Sequence, residues 1–245
     1  MTEQPSRFLR MLRNRINLRQ IPFSERGSRL LVFEDDDHFL VRLAERWFKL
    51  DGQPGGYRQR PPIVDEWHLT DGEGRPLPFE LTTYPHRVES HTPTGRFSLL
   101  FVDPETLMLT LPPSACGVQF RANVDRAQAD RRGGVLRLTG EIRRNIAYTT
   151  NARILENSII TDGGGHQVVR LRLIPSRGQQ ALLLNITPRL GFNRYVPEPA
   201  EAAEAAARAW QDWFAQAPAV SERFEPQYYY AWWIMRAGLI SPRFY

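Results

Sequence analysis

The sequence predicts a mainly β chain, an antiparallel sandwich or barrel, followed by helices near the C-terminus. Between residues 29 and 190, short segments alternate apolar and polar residues, which gives a sheet one buried and one wet face. Turn signals such as DGEG, RRGG and DGGG recur there about every ten residues. From residue 197 onward the pattern becomes helical. We therefore divide the chain into an N-terminal arm (1–28), a β-sandwich domain (29–196) and a helical region (197–245).

Turn sequences between the apolar segments predict hairpins. RLLVF and HFLVRLAERW flank EDDD, IVDEWHLT and FELTTYP flank DGEGRPLP, and GRFSLLFVD leads into TLMLTLP. Further strands are predicted in ACGVQFRANV, GVLRLTGEI, NIAYTTNARI, NSIITDGGGHQVVRLRLI and QALLLNITP. The glycine-rich DGGGH is interpreted as a hairpin turn, because neither Lys-Ser/Thr nor a helix follows it. No helix longer than about two turns is expected between residues 29 and 190.

The helical region begins with a segment predicted to be helical over residues 198–216. Its alanines have high helix propensity, and prolines stand at both of its ends. Trp210, Trp213 and Phe214 follow the spacing i, i+3, i+4 and so form one apolar stripe. We expect this stripe to dock on the sandwich or on the final helix.

The final helix lies in YYYAWWIMRAGLISPRFY and is apolar nearly all round. Such a helix should be buried on all sides, and a sandwich covers only one of them. We therefore predict a domain interface formed by Tyr229, Trp232, Trp233 and Arg236. Several of the aromatic side chains are expected to face solvent in this chain alone. Deletion of residues 227–245 is expected to leave the sandwich folded.

Composition and charge exclude several classes of protein. The net charge is +5, but the arginines are spread among acidic residues, and Lys49 is the only lysine. The one basic cluster (Arg7, Arg10, Arg13, Arg15 and Arg19) is interpreted as a solvated face or an unpaired terminus rather than an arm for nucleic acid. The single cysteine excludes an internal disulfide. No secretory signal or membrane span is visible, so we predict a cytoplasmic protein.

Signatures of catalysis are absent from the sequence. The pattern contains no G-x-S-x-G elbow, Walker loop or H-E-x-x-H pair, and we predict no cofactor. Only His86 and His91 are close along the chain, so no zinc-type cluster and no metal are expected. The acidic EDDD turn is interpreted as solvated rather than calcium-binding. Cys116 begins an apolar strand, where a cysteine is usually an inert core residue.

Carboxylate pairs and aromatic platforms were considered for glycoside chemistry. Asp65 and Glu66 are adjacent in a strand, so they are expected to point to opposite faces, and no catalytic residue is predicted. Exposed aromatic rings could stack on sugars, although the core interpretation is preferred for each candidate. These candidates are Trp47, Tyr57, Trp67 and Tyr84.

Two stretches resemble a known enzyme family. INLRQIPFSERGSRLLVF with HFLVRLAERW near the start, and YYYAWWIMRAGLISPRFY at the end, resemble bacterial six-hairpin glycosidases with an (α/α)6 barrel. These enzymes are glycogen-debranching amylo-α-1,6-glucosidase-like and are similar to the α-glucosidase I and mannosylglycerate hydrolase group. FVDPETLMLTLPP and NIAYTTNARI are compatible with their N-terminal domain. The resemblance covers nearly the whole chain.

The resemblance implies a β super-sandwich, a helical linker and the first helix of a barrel whose remainder is missing from this sequence. The chain would then be the non-catalytic N-terminal domain of an α-glycosidase acting on α-glucan or a small α-glycoside. Its partners would be the barrel and carbohydrate, with no nucleic acid and no membrane. Arg26, Arg29 and Trp47 are the candidate substrate-binding residues. Alternatively, Glu25 holds a structural turn with either arginine.

Two other interpretations remain open from the sequence. The sandwich could be a self-contained carbohydrate-binding module, which a flat, solvent-facing row of aromatic rings would favour. The chain could also be a complete enzyme of unknown type, although the missing acid–base pair argues against this.

Overall fold

A computed structural model describes the chain at residues 7–47, 56–59, 62–137, 145–175, 178–187 and 193–239, and for residues 45–47 and 56–59 it describes the backbone only. The strands are β1 (Leu30–Asp35), β2 (His38–Trp47), β3 (Gly56–Gln59), β4 (Val64–Asp71), β5 (Glu80–Thr83), β6 (Val88–Thr92), β7 (Gly95–Asp103), β8 (Thr106–Thr110), β9 (Cys116–Ala122), β10 (Arg126–Asp130), β11 (Gly133–Arg137), β12 (Asn145–Thr150), β13 (Arg153–Thr161), β14 (Gln167–Ile174) and β15 (Ala181–Thr187). The helices are α1 (Arg7–Met11), α2 (Pro199–Ala215) and α3 (Glu225–Ala237), and a 3₁₀ turn lies at Glu222–Phe224.

Two antiparallel sheets account for the described strands, which confirms the predicted mainly β sandwich with C-terminal helices. The first sheet has seven strands in the order β1-β2-β4-β9-β14-β13, with β3 paired to β2. The second has eight strands in the order β10-β11-β12-β15-β8-β7-β6-β5. The core between the sheets is closely packed, as Val41, Leu69, Val118, Leu107 and Ile146 illustrate, all of them buried.

The second sheet is buried on both faces at its centre. Strands β8 and β12 are buried along their whole length. Leu107 and Leu109 face the core between the sheets, whereas Met108 and Leu183 pack outward against Ala202 and neighbouring residues of α2. This explains why the segment TLMLTLP is a continuous apolar run, the pattern expected of strands covered on both sides.

Three of the predicted hairpins are confirmed. β1 pairs with β2 across the acidic turn, β7 pairs with β8, and β13 pairs with β14 across DGGGH. In the last turn, an oxygen of Asp162 accepts hydrogen bonds from the backbone N–H groups of Gly164 and His166, both at 2.9 Å. Gly165 adopts a φ of +84°, which glycine tolerates without strain.

The predicted hairpin across DGEGRPLP is wrong. β4 belongs to the first sheet and β5 to the second, so the connection crosses from one layer to the other. The chain does turn back briefly, because the Asp71 N–H donates to the Arg75 carbonyl and Thr70 bridges to Pro76. Pro76 and Pro78 lack the N–H groups that a continued ladder would need, and the strand ends there.

NIAYTTNARI is likewise not one strand. It contains β12 and the start of β13, which lie in different sheets on either side of a bend at Asn151 and Ala152. β10, in the segment RAQAD, was not predicted, because its residues are mostly exposed and show no apolar alternation. The position of a strand at the edge of a sheet leaves little pattern in its sequence.

The N-terminal arm is packed into the core rather than extended into solvent. Leu9, Leu12, Ile16 and Leu18 are buried, and the Asn14 N–H donates to the Thr83 carbonyl at 2.9 Å. The basic cluster is divided among separate partners. Arg7 pairs with Glu225, Arg19 pairs with Glu34 and Asp36, the Arg15 Nε donates to the Met11 carbonyl, and Arg13 lies over the ring of Tyr84.

α2 confirms the predicted docking of its aromatic stripe. Trp210 and Phe214 are buried in the main core, and the Trp213 indole N–H donates to the Trp232 carbonyl in α3 at 3.0 Å. Pro199 occupies the first turn of the helix, where its missing N–H costs no hydrogen bond. None of the described helices is long and apolar enough to cross a membrane.

α3 is covered by this chain more fully than the sequence predicts. Tyr229 and Trp233 are buried, and the rings of Tyr228, Tyr230 and Trp232 are partly buried. Tyr229 packs against Phe8 of α1 and Phe214 of α2, with ring centroids 4.7 and 5.9 Å away. The expectation that several α3 aromatics face solvent is therefore wrong, because the arm and α2 cover the sides that the sandwich does not reach.

Candidate functional site

A cavity of about 460 Å³ lies on the outer face of the second sheet, beside the N-terminal end of α2. Strands β6, β7 and β8 form its floor, and the first turns of α2 form one wall. Its polar lining includes Arg87, Glu89, Arg96, Ser98 and Gln180. Apolar walls are contributed by Leu100, Leu111, Pro112 and Pro199.

Glu89 is the carboxylate among the described residues that line this cavity, and cations surround it. Its side chain accepts a hydrogen bond from Arg87 Nε at 2.9 Å, and Arg96 and His91 nitrogens lie 3.7 and 3.9 Å away. The residue is 6% exposed, so these cations compensate a buried negative charge. An arrangement of paired charges with apolar walls can hydrogen-bond a polyol while its C–H groups contact the prolines.

His86, next to Arg87, does not supply an acid or base to this cavity. Burial and the charge of Arg87 lower the pKa of His86 to about 3, so its imidazole stays neutral at physiological pH. The ring packs against Tyr84, with centroids 5.9 Å apart. Tyr84 itself is 9% exposed. Both residues therefore belong to the core beneath the cavity, in agreement with the core interpretation of Tyr84.

The expectation that Asp65 and Glu66 point to opposite faces is wrong. A single terminal nitrogen of Arg121 contacts both carboxylates, at 3.0 Å for Asp65 and 2.8 Å for Glu66. The cause is a β-bulge, because Glu66 has a φ of +47° and the β4–β9 register shifts between Asp65 and His68. A shared arginine stabilises both charged forms, whereas glycoside cleavage needs one protonated carboxyl group. This trio is therefore a structural clamp.

The candidate substrate-binding residues lie near one another in the chain path but not in the cavity. Arg26 is exposed in a turn next to the end of α3, and the Arg29 carbonyl accepts the Ala44 N–H at 2.8 Å. Trp47 pairs through its backbone with Gly56, and its side chain lies outside the described residues, as does that of Tyr57. Glu25, which was expected to pair with either arginine, instead contacts Arg236 at 2.8 Å and accepts the Arg26 backbone N–H.

The predicted interface residues have different surroundings. Trp233 is fully buried and stacks on Tyr230, and Trp232 is partly buried. Arg236 is 8% exposed, and its guanidinium lies 4.8 Å from the ring centroid of Trp210. Burial lowers the pKa of Arg236, while Glu25 raises it. Together with the bond from the Gly27 N–H to the Leu239 carbonyl, this ion pair ties the end of α3 to the N-terminal turn.

An apolar surface nevertheless remains on the outer side of α3. We call it the α3 stripe; it consists of Phe224, Ala231, Ile234, Met235 and Leu239, all of them exposed. Met235 is 49% and Ile234 41% exposed. The residues recur at helical spacings of three, four and seven, so they form one continuous line. The sequence predicts aromatic residues at this surface, whereas the structure places mainly aliphatic ones there.

A second group of functional side chains was missed by the sequence analysis. Asp37, His38 and His68 bring potential ligand atoms within 4.8 Å of one another. The premise that only His86 and His91 could meet is therefore wrong, since the rings of His38 and His68 have centroids 5.1 Å apart. These two histidines are thirty positions apart, and only the pairing of β2 with β4 brings them together. Knowledge of that pairing would have been the signal.

The remaining sequence candidates are structural. Trp67 is 1% exposed, in agreement with its core interpretation. Cys116 is buried, and burial raises the pKa of its thiol to about 12, so the thiolate is not populated at neutral pH. In the acidic turn, Glu34 and Asp36 are held by Arg19, at 3.1 and 3.2 Å.

The fold has a known relative among solved structures. It is similar to the family GH92 inverting mannosidase from Bacteroides thetaiotaomicron VPI-5482, with a TM-score of 0.56 at 13% sequence identity. The match covers 91% of this chain, which spans 36% of the length of that mannosidase chain. No protein-family model and no curated protein sequence matches this chain. The comparison shows that this β-sandwich fold also occurs as a part of a larger chain.

Proposed function

We propose that this chain is the non-catalytic N-terminal β-sandwich domain of a glycoside hydrolase. The observation that carries the proposal is the fold match, which extends over 91% of this chain but only 36% of the mannosidase. The resemblance of the first and last segments to six-hairpin glycosidases supports it independently. The described carboxylates agree with a non-catalytic role, because Asp65 and Glu66 share Arg121 and Glu89 is held by Arg87.

The α3 stripe is the docking surface in this proposal, and its occupant is a helical catalytic barrel on the same polypeptide. A row of exposed aliphatic side chains on a helix is the type of surface that packs against another helix. The buried part of α3 attaches it to the sandwich through Trp233 and the Glu25–Arg236 pair. The sandwich would thus hold one barrel helix in a defined position.

The substrate in this proposal is an α-glucan or a small α-glycoside, and the domain forms one wall of its cleft. The cavity with Arg87, Glu89 and Gln180 contains the mixture of charged and amide groups that hydrogen-bonds hydroxyl groups. Arg26 is exposed beside the end of α3, and so close to the proposed barrel. The name of the structural relative adds mannosides to the substrates that deserve testing.

A self-contained carbohydrate-binding module receives less support. Such a module would present a flat row of exposed aromatic rings on its sheets. Among the described side chains, the aromatic residues of the strands are buried or partly buried, and the exposed rings, Tyr195 and Phe224, lie outside the strands. We therefore retain the domain of a larger glycosidase as the conclusion.

The test is to charge the α3 stripe in the full-length polypeptide of the natural gene. With Ile234 and Met235 both replaced by aspartate, hydrolysis of aryl α-glucosides and α-mannosides should fall by about 10- to 100-fold, because the active-site wall is displaced. The double variant should leave the Tm of residues 1–245 alone nearly unchanged, since both side chains are exposed there.

The matched control replaces Leu155 and Ile160, two equally exposed aliphatic residues of β13, by aspartate. This control should leave hydrolysis unchanged. Equal activity of the two double variants would contradict the docking surface. A natural gene that encodes no further helical domain would contradict the proposed function itself.

A further inference from the structure

Potential metal ligands meet on the outer face of the first sheet, on the layer opposite to the cavity. Asp37 lies in the turn between β1 and β2, His38 begins β2, and His68 lies in β4. We propose that Asp37, His38 and His68 bind a divalent transition-metal ion, for which Zn²⁺ is the best fit. Two imidazoles and one carboxylate form the mixed nitrogen and oxygen ligand set that Zn²⁺ accepts.

The distances between the three groups agree with this assignment. Their ligand atoms lie within 4.8 Å of one another, and His38 Nδ1 is 3.3 Å from Asp37 Oδ1. Zinc bonds of about 2.0–2.2 Å in a tetrahedron separate neighbouring ligand atoms by roughly 3.4 Å. Closure therefore requires a movement of about an ångström, within reach of side-chain rotation. Water would occupy the remaining coordination position.

A local distortion of β4 directs His68 toward its partners. Glu66 has a φ of +47°, and the register shifts on both edges of β4, between Phe39 and Val41 on one side and between Asp65 and His68 on the other. After the bulge, Phe39 faces Trp67, so His38 and His68 follow as neighbours across the ladder. A bulge that re-aims a side chain is frequent beside functional sites, and the positive φ costs free energy that the fold retains.

One ligand atom is buried without a partner. Nδ1 of His68 is inaccessible to solvent and makes no hydrogen bond to any residue that the structure describes. A buried polar nitrogen normally has a hydrogen-bond partner, and an exception needs an explanation. Asp37 and His38 are more accessible, with 60% and 19% of their side chains exposed, so an ion can reach the group from solvent.

The protonation states of two ligands are those that a metal requires. Burial, and then the charge of His38, lower the pKa of His68, so its imidazole is neutral. A hydrogen bond with His38 lowers the pKa of Asp37, so its carboxylate is ionised. Metal binding therefore displaces few protons near neutral pH. The nearby charge of Glu66, shared with Arg121, adds to the negative potential at the site.

The experiment uses the purified chain after removal of metals with a chelator. Titration with Zn²⁺ in a calorimeter should show one saturable site per chain. At Zn²⁺ 100-fold above the measured Kd, the Tm should rise by about 5–10 °C. His68→Ala and Asp37→Asn should each weaken the affinity by about 100-fold or more, judged against the 10- to 100-fold effect of changing a group that only orients a ligand.

Two controls remove like groups from outside the cluster. Asp36→Asn lies in the same turn, pairs with Arg19 and keeps a positive φ that asparagine tolerates, and His166→Ala removes an imidazole from another turn. Both should bind Zn²⁺ as the natural chain does. Asp37 is exposed, so its substitution keeps the fold intact and tests the site even if His68→Ala is unstable. Absence of saturable binding, or equal affinity of Asp37→Asn and Asp36→Asn, would overturn the proposal.

Discussion

Replacement of Trp233 by alanine is expected to destabilise the chain by about 3–5 kcal/mol, the usual effect of removing a large aromatic side chain from a core. Trp233 is fully buried, and its ring stacks on Tyr230 with centroids 5.8 Å apart. The substitution leaves a cavity that the surrounding helices and strands cannot fill completely. Denaturant unfolding of residues 1–245, followed by circular dichroism, measures the change.

Ile234 provides the matched control for this prediction. It is the next residue of the same helix, is 41% exposed, and should tolerate alanine with a change of about 0.5 kcal/mol or less. If Trp233 faced a separate domain, as its sequence pattern alone predicts, both substitutions would leave the stability of this chain nearly unchanged. An equal, small effect of the two variants would therefore contradict the packing of α3 described above.

Replacement of Arg236 by alanine is expected to cost about 3 kcal/mol, because it leaves the carboxylate of Glu25 without its charged partner. The side chains of Arg236 and Glu25 are only 10% and 16% exposed, and the pair is joined at 2.8 Å. The variant also loses the contact between the guanidinium and Trp210. The Tm should fall by about 6–12 °C, since each kcal/mol shifts the Tm of a chain of this size by roughly 2–4 °C.

Two further variants isolate the cause of that effect. Arg208, which is 66% exposed and 3.9 Å from Glu204, should tolerate alanine with little change in Tm. The double variant Glu25→Leu, Arg236→Met removes both charges and should recover much of the lost stability, because apolar residues can replace a buried ion pair. A double variant that is less stable than Arg236→Ala would contradict the assignment to an uncompensated carboxylate.

These contacts change the expected effect of removing α3. The sequence analysis predicts that the sandwich folds without residues 227–245. Tyr229, Trp233 and Ala237 belong to the same buried core as the strands, however, so their deletion exposes apolar surface of the sandwich, α1 and α2. The buried side of α3 is thus part of this domain, and only the α3 stripe is available to another one.

The sequence predicts strands where an apolar pattern is sustained and misses them where it is weak. Alternation in β7 and β14 follows directly from one face meeting the core, whereas the exposed β10 has no such pattern. Turn residues were less informative, because DGEG makes a tight turn both in a hairpin and where the chain crosses between sheets. Whether a turn joins paired strands depends on which strands compete for the same edge.

The side-chain groupings were the least predictable part of the molecule. Asp65 and Glu66 meet at Arg121 because a bulge breaks the strand period, and period-two reasoning cannot detect a bulge. His38 and His68 meet through strand pairing across a separation of thirty residues. The burial of Arg236 depends on Glu25, at the other end of the chain. Each of these contacts is set by tertiary register, which local spacing does not encode.

The central claim, that this chain supports catalysis without performing it, is tested most directly by turnover of residues 1–245 alone. The purified chain is incubated with an aryl α-glucoside, an aryl α-mannoside and a maltooligosaccharide, with the full-length polypeptide as positive control. The account predicts no hydrolysis above a blank, because the described carboxylates provide no acid–base pair. Steady turnover that rises in proportion to the chain's concentration and disappears in Glu89→Gln or Asp65→Asn would contradict it.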